Sequence, residues 1–319
     1  MLGLTLEKPA RRLPVHPLKV TAGNTPLTGN MRHCLFALFS FVLIALCFDS
    51  VRKLIAFSLN FDNTDSSYVL LIPFISAMLL YTRREKIFAE LESSSLSAMF
   101  CFAIAGTLYF AGRTFQHRIG PSDFFALIAS ALIFFWIGGF LLFYGRRAFR
   151  AAVFPLMFLG LAIPIPGAVF HGIARLLQSG SASMVSMLFR LTGTPAFRNE
   201  TVFMLPRLTI EVAEECSGIR STLGILIVSL LAAHLFLKSK WRRTALLLLV
   251  IPISLFKNAV RITALTLLAI HWDMGFMTGK LHHEGGVVFM MIGLILMYPV
   301  LTFLMRSEAK HFDSGGVRS

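Results

Sequence analysis

Glu211-Val-Ala-Glu-Glu-Cys-Ser-Gly-Ile-Arg-Ser221 sets a thiol, two hydroxyls, three carboxylates and a guanidinium against the start of an apolar run, Ile219 to Leu237. That run is long enough to cross a bilayer, which takes about 20 residues. Cys216 therefore stands at a helix N-terminus near a membrane surface. The positive end of a helix and a neighbouring cation both favour thiolate over thiol, and the thiolate is the nucleophile. Arg220, one helical turn on, falls on the same face. A cysteine can also serve as a small apolar filler, but the polar flanks of Cys216 speak against that here.

The rest of the chain has the composition of a polytopic membrane protein. Of its 319 residues 56% are hydrophobic and 14% charged, and the mean hydropathy is +0.73. The net charge of +14 does not point to nucleic acid, because Lys and Arg cluster in short segments between apolar runs instead of forming one basic face. Cys34, Cys47 and Cys101 lie inside apolar runs without metal-ligand spacing and read as packing residues.

Residues 1–32 are polar and proline-containing, lack the features of a secretion signal, and read as a disordered cytoplasmic tail. A membrane domain over 33–306 and a second cytoplasmic tail over 307–319 follow. Apolar runs at Cys34 to Arg52, Tyr68 to Tyr81, Leu96 to Ala111, Phe124 to Tyr144, Ala148 to Pro166, Ile219 to Leu237, Thr244 to His271 and Gly285 to Met305 predict eight spans. The expected fold is thus all-α and polytopic, with about eight transmembrane helices. Positive residues near span ends are retained in the cytoplasm, and Arg83, Arg84 and Lys86, then Arg146, Arg147 and Arg150, then Lys238, Lys240, Arg242 and Arg243, then Arg306 and Lys310 all fall on the side of the N-terminus.

The connection over 167–215 is too long for an idle loop and predicts a small extracytoplasmic insertion before the sixth span. Ile173, Leu176, Leu177, Met184 and Met187 are spaced as an amphipathic helix, interrupted around Ser179-Gly180-Ser181 and suited to lying along the membrane surface. Thr201 to Met204 and Leu208 to Val212 then predict a β-hairpin leading into the cysteine.

Two more polar positions reach the same outer surface. The seventh span contains Lys257-Asn258-Ala259-Val260-Arg261, and a charge inside a span reads as functional by default. Counted from Thr244, Arg261 lies about 25 Å along the helix, near the outer edge of a hydrocarbon core of about 30 Å. Asn258 shares its face and is placed to orient the guanidinium. His282-His283-Glu284-Gly285-Gly286 immediately precedes the eighth span. A cysteine, an arginine and a histidine at one surface supply nucleophile, charge stabiliser and proton carrier for acyl transfer through a thioester. No metal and no cofactor are expected: there is no His-Glu-x-x-His and no second cysteine nearby.

At these residues the chain resembles the exosortase/archaeosortase family of multi-pass membrane cysteine transpeptidases. The resemblance rests on Glu211 to Arg220, on Asn258-Ala-Val-Arg261-Ile262, and more loosely on a histidine ahead of Gly286 and Phe289. Leu71-Ile-Pro73 followed by Arg83-Arg84, and Ile163-Pro-Ile-Pro166, add to it. Ser66-Ser67-Tyr68 stands where members often carry a Ser-His pair. The resemblance implies Cys216, Arg261 and His282 as catalytic residues, with Asn258, Arg220 and Ser217 in support and His283 as the alternative to His282. It implies secreted substrates with a tripartite C-terminal sorting signal of the PEP-CTERM type, a lipid or amine acyl acceptor, and a site on the extracytoplasmic face of the cell membrane. Membrane lipids are expected partners and nucleic acid is not. The competing reading is a non-enzymatic transporter or an assembly component for exported polysaccharide, in which Arg261 binds an anion; such transporters show repeat symmetry and mid-membrane polar residues.

Overall fold

A computed structural model describes residues 29–59, 68–206, 208–275 and 286–315. The expected N-terminal tail lies largely outside the described residues, and the helix that follows begins at Gly29. The helices are α1 (Gly29–Leu46), α2 (Phe48–Leu59), α3 (Leu71–Thr82), α4 (Arg84–Ile87), α5 (Ser95–Phe115), α6 (Pro121–Ala151), α7 (Val153–Leu159), α8 (Gly167–Leu191), α9 (Ile219–Phe236), α10 (Lys240–His271) and α11 (Gly286–Gly315). Between α8 and α9 runs a small antiparallel sheet of β1 (Phe197–Asn199), β2 (Val202–Leu205) and β3 (Leu208–Glu211). This is an all-α polytopic membrane protein with one small sheet.

Six described helices are long and apolar enough to cross a bilayer: Gly29–Leu46, Ser95–Phe115, Pro121–Ala151, Ile219–Phe236, Lys240–His271 and Val288–Lys310. A seventh is added if the bent pair Val153–Ala162 and Gly167–Leu191 is taken as one. The eight predicted runs differ from these at two places. The second run forms the shorter apolar helix Tyr68–Thr82, about 22 Å at 1.5 Å per residue and less than the core thickness. The fifth lies beyond Gly145, whose φ of +82° and ψ of −176° interrupt α6, and is itself broken at Ala152 ahead of α7 and again where Pro164 and Pro166 separate α7 from α8 at an angle of 88°.

The apolar faces confirm what the helices are packed for. α1 has no buried residue, yet Leu38, Phe41 and Leu46 point outward, which suits lipid and not water. Its other side meets α6, where Phe36 lies among Trp136, Phe140, Phe143 and Tyr144. Arg83 and Arg243 both lie close enough to His234, in the last turn of α9, for their charges to act on it. Two of the basic clusters therefore share one end of the bundle. At that end Glu308 of α11 accepts the backbone N–H groups of Lys238 (2.9 Å) and Ser239 (2.6 Å) ahead of α10, with Arg242 3.6 Å away.

α8 is a continuous helix of 25 residues with no break at Ser179-Gly180-Ser181, and it packs lengthwise against α10 instead of standing apart on a surface. The small residues that suggested an interruption are contact points. A side chain at Gly180 would come within 2.9 Å of Leu255, and Ser181 bonds Asn258. Tertiary packing overrides the weak helix propensity of such a triplet. At 32 residues α10 is about 48 Å long, more than the hydrocarbon core requires. Its second half contributes Ala259, Ile262 and Ile270 to a core with Ala182, Val185 and Phe189 of α8. Phe203, Leu205, Ile210 and Val212 join this core from the sheet side by simple alternation, with Phe203 opposite Ile210. The expected hairpin is present over Val202–Leu205 and Leu208–Glu211, and β1 adds a third strand.

Candidate active site

The last residues of the sheet fix where the cysteine goes. Val212 donates its N–H to the Thr201 carbonyl, and Gln178 of α8 donates to the Val212 carbonyl at 2.5 Å. A single 3-10 turn, Glu214–Cys216, follows, and His171 of α8 meets Glu214 at 2.5 Å. Cys216 thus precedes the helix by a short turn instead of lying in its first turn, so Arg220, in the first turn of α9, is not related to it by helical spacing. Arg220 is exposed and lies close enough to Arg261 for the two charges to interact.

Gly218 makes the turn possible. It has φ +77° and ψ 15° at the start of α9, a left-handed conformation that other residues adopt at a cost. A Cβ there would also lie 2.8 Å from Asn258 Oδ1. The cysteine backbone, glycine and asparagine are packed as one unit. Asn258, only 1% exposed, donates through Nδ2 to the Cys216 carbonyl (2.9 Å) and to Ser181 Oγ (3.0 Å). Its role therefore differs from the expected one: the amide holds the cysteine backbone and α8, not the Arg261 guanidinium. Ser217 is buried, and its hydroxyl has no described hydrogen-bond partner.

Arg261 is one turn beyond Asn258. It lines a narrow cleft of about 30 Å³ with Cys216, Ile210, Glu211, Val212, Ile262 and Leu265, and that volume holds a water or two. The thiol and the guanidinium are near enough for electrostatic interaction. Phe289 of α11 lies under the guanidinium, 5.9 Å from its centre, a cation–π distance. His282 and His283 lie outside the described residues, and Phe289 marks where the chain returns beside the site. Leu237, at the far end of α9, accepts from Arg243, so Cys216 lies at the end of the helix away from that basic cluster.

Sequence reasoning missed four supporting groups. His171, Gln178 and Ser181 follow one another at intervals of seven and three residues on α8, a helical face, but nothing local marks what that face touches. Lys257 was visible as a second charge in the span. It is buried, and its amine donates to Ser221 Oγ of α9.

No curated protein and no solved structure matched the chain. The family model described as transmembrane exosortase (EpsH) matches residues 60–299, well over half of the 319, and the matched span takes in Cys216, Asn258 and Arg261 and extends into α11. The chain belongs to the transmembrane exosortase family.

Proposed function

We propose that this exosortase is a cysteine transpeptidase whose site, formed at Cys216 and Arg261, faces away from the cytoplasm. It cleaves the C-terminal sorting tag of secreted proteins and passes them to an acceptor. The observation that carries the reading is that one short segment of α10 supplies both the amide that holds the Cys216 backbone and the guanidinium that shares its cleft. The outward orientation is supported by the basic cluster at the opposite end of α9.

In this mechanism the Cys216 thiolate attacks the tag's peptide carbonyl, forming a carbon–sulfur bond. Arg261 stabilises the negative oxygen of the tetrahedral intermediate. The carbon–nitrogen bond then breaks, and the departing amine takes a proton from the histidine, His282 or its alternative His283. A thioester remains on Cys216. An acceptor amine or hydroxyl group, on a lipid or another molecule, gives up its proton to the same histidine and displaces the thiolate, regenerating the enzyme. The narrow cleft suits a single carbonyl between sulfur and guanidinium, with the peptide running across its mouth.

The test is coexpression with a tagged reporter. A Cys216→Ala chain should accumulate in the membrane at parental level and leave the tag intact, since the nucleophile contributes several decades of rate. Processing by that variant at anything near the parental rate would remove the proposal.

A further inference from the structure

Lys257 is 1% exposed, lies within a membrane-spanning helix, and has no part in the chemistry above. Its amine donates to Ser221 Oγ in the first turn of α9, and Ser221 Oγ donates in turn to the Gly218 carbonyl at 3.0 Å. Its stem passes Gly293 of α11, whose Cβ position would be 3.4 Å from Lys257 Cδ. Among the described residues it forms no ion pair with a carboxylate. A buried ammonium in a span is unfavourable, and a methionine would fill the same volume without that cost. The lysine is therefore poorly explained as packing.

Its surroundings suggest what offsets the cost. Arg261 follows it by one turn on α10 and senses its charge. Arg220 and the N-terminal amides of α9 add positive potential, while Glu211 and Glu214 on the sheet side oppose it. Arg261 is within electrostatic range of Lys257, Arg220 and Cys216, so a thiolate formed at Cys216 during the proposed reaction adds a negative charge within reach of these cations. The geometry adds a second argument. Lys257 and Asn258 are consecutive and so project about 100° apart on α10. Asn258 holds the Cys216 carbonyl, and Lys257, through Ser221, reaches the Gly218 carbonyl, which also accepts the N–H and hydroxyl of Thr222, so one helix braces both ends of the three-residue segment Cys216-Ser217-Gly218.

We propose that Lys257 is a positioning residue for Cys216: through Ser221 it fixes the left-handed turn that presents the thiol, and its charge joins that of Arg261 in favouring the thiolate. This rests on the cysteine-nucleophile reading above.

The experiment measures the rate of Cys216 alkylation by iodoacetamide as a function of pH, in the purified full-length protein with Cys34, Cys47 and Cys101 replaced by serine, alongside tag processing in cells. Lys257→Met should move the alkylation midpoint up by about one pH unit and reduce processing about tenfold, and Lys257→Arg should restore the midpoint. Ser221→Ala, which keeps the charge and removes the tie, should reduce processing about threefold. Superimposable alkylation curves for Lys257→Met and the parent, parental processing by Lys257→Met, or Lys257→Arg behaving like Lys257→Met would each overturn the proposal. If Lys257→Met fails to accumulate, parental processing by Ser221→Ala overturns it instead. Alkylation needs no turnover, so a Cys216→Ala chain that still processed the tag would end the nucleophile reading without touching this measurement.

Discussion

Replacing Gly218 by alanine puts the smallest side chain where the structure leaves no room for one. The left-handed φ of +77° costs an L-residue about 1–2 kcal/mol. The new Cβ would lie 2.8 Å from Asn258 Oδ1 and 2.9 Å from its Cγ, so the asparagine must retreat by several tenths of an ångström. Its bonds to the Cys216 carbonyl and Ser181, at 2.9 and 3.0 Å, are then stretched or lost, at about 0.5–1.5 kcal/mol each. The combined strain is about 2–5 kcal/mol. It is relieved most cheaply by releasing the cysteine turn, and at 1.4 kcal/mol per decade that corresponds to a loss of about 100-fold in tag processing. The assay is reporter cleavage at matched membrane levels, with Gly193→Ala as the control. Gly193 also has a positive φ, +67°, but nothing lies within 4 Å of its Cβ position, so it has the backbone cost alone. If Gly218→Ala processed the tag as well as Gly193→Ala, the packing of Gly218 on Asn258 would not be what holds Cys216.

Other substitutions probe the chemistry and the packing separately. Arg261→Lys should reduce processing at least tenfold while Cys216 remains open to alkylation, because an ammonium lacks the planar fork of a guanidinium; parental processing would exclude Arg261 from the reaction. His282→Ala should lose about 100-fold or more and His283→Ala little, since both fit the family resemblance but His282 stands one helical turn in sequence before Gly286; the reverse ranking would move proton transfer to His283. Glu308→Ala leaves two backbone N–H groups and Arg242 without their carboxylate, so it should lower the unfolding midpoint in detergent, by about 2–3 kcal/mol of stability, with processing per folded molecule unchanged.

The cysteine turn was legible in the sequence because its signals are local: a polar segment, a glycine, then an apolar run of membrane length. The alternation that buries Phe203, Ile210 and Val212 was legible for the same reason. What could not be read were contacts between elements distant in the chain. Ser179-Gly180-Ser181 carries the composition of a break, and only the approach of Leu255 and Asn258 shows it to be a packing surface. Helical spacing puts Asn258 on the face of Arg261, but facing sides do not name partners, and its amide bonds the Cys216 carbonyl instead of the guanidinium three residues on. Hydropathy marks the fifth run, Ala148 to Pro166, but does not register the breaks at Ala152 and at Pro164 and Pro166, which leave α7 and α8 as a bent pair.

The measurement that tests the central claim most directly is the mass and position of an acyl-enzyme. The purified enzyme is mixed with a tagged substrate lacking any acceptor, quenched in acid within a single turnover, and mapped by peptide mass spectrometry. A thioester at Cys216, carrying the substrate up to the cleavage point and released by neutral hydroxylamine, is the predicted result; an acyl group on any other residue, or cleavage of the same substrate by the Cys216→Ala chain, would contradict it.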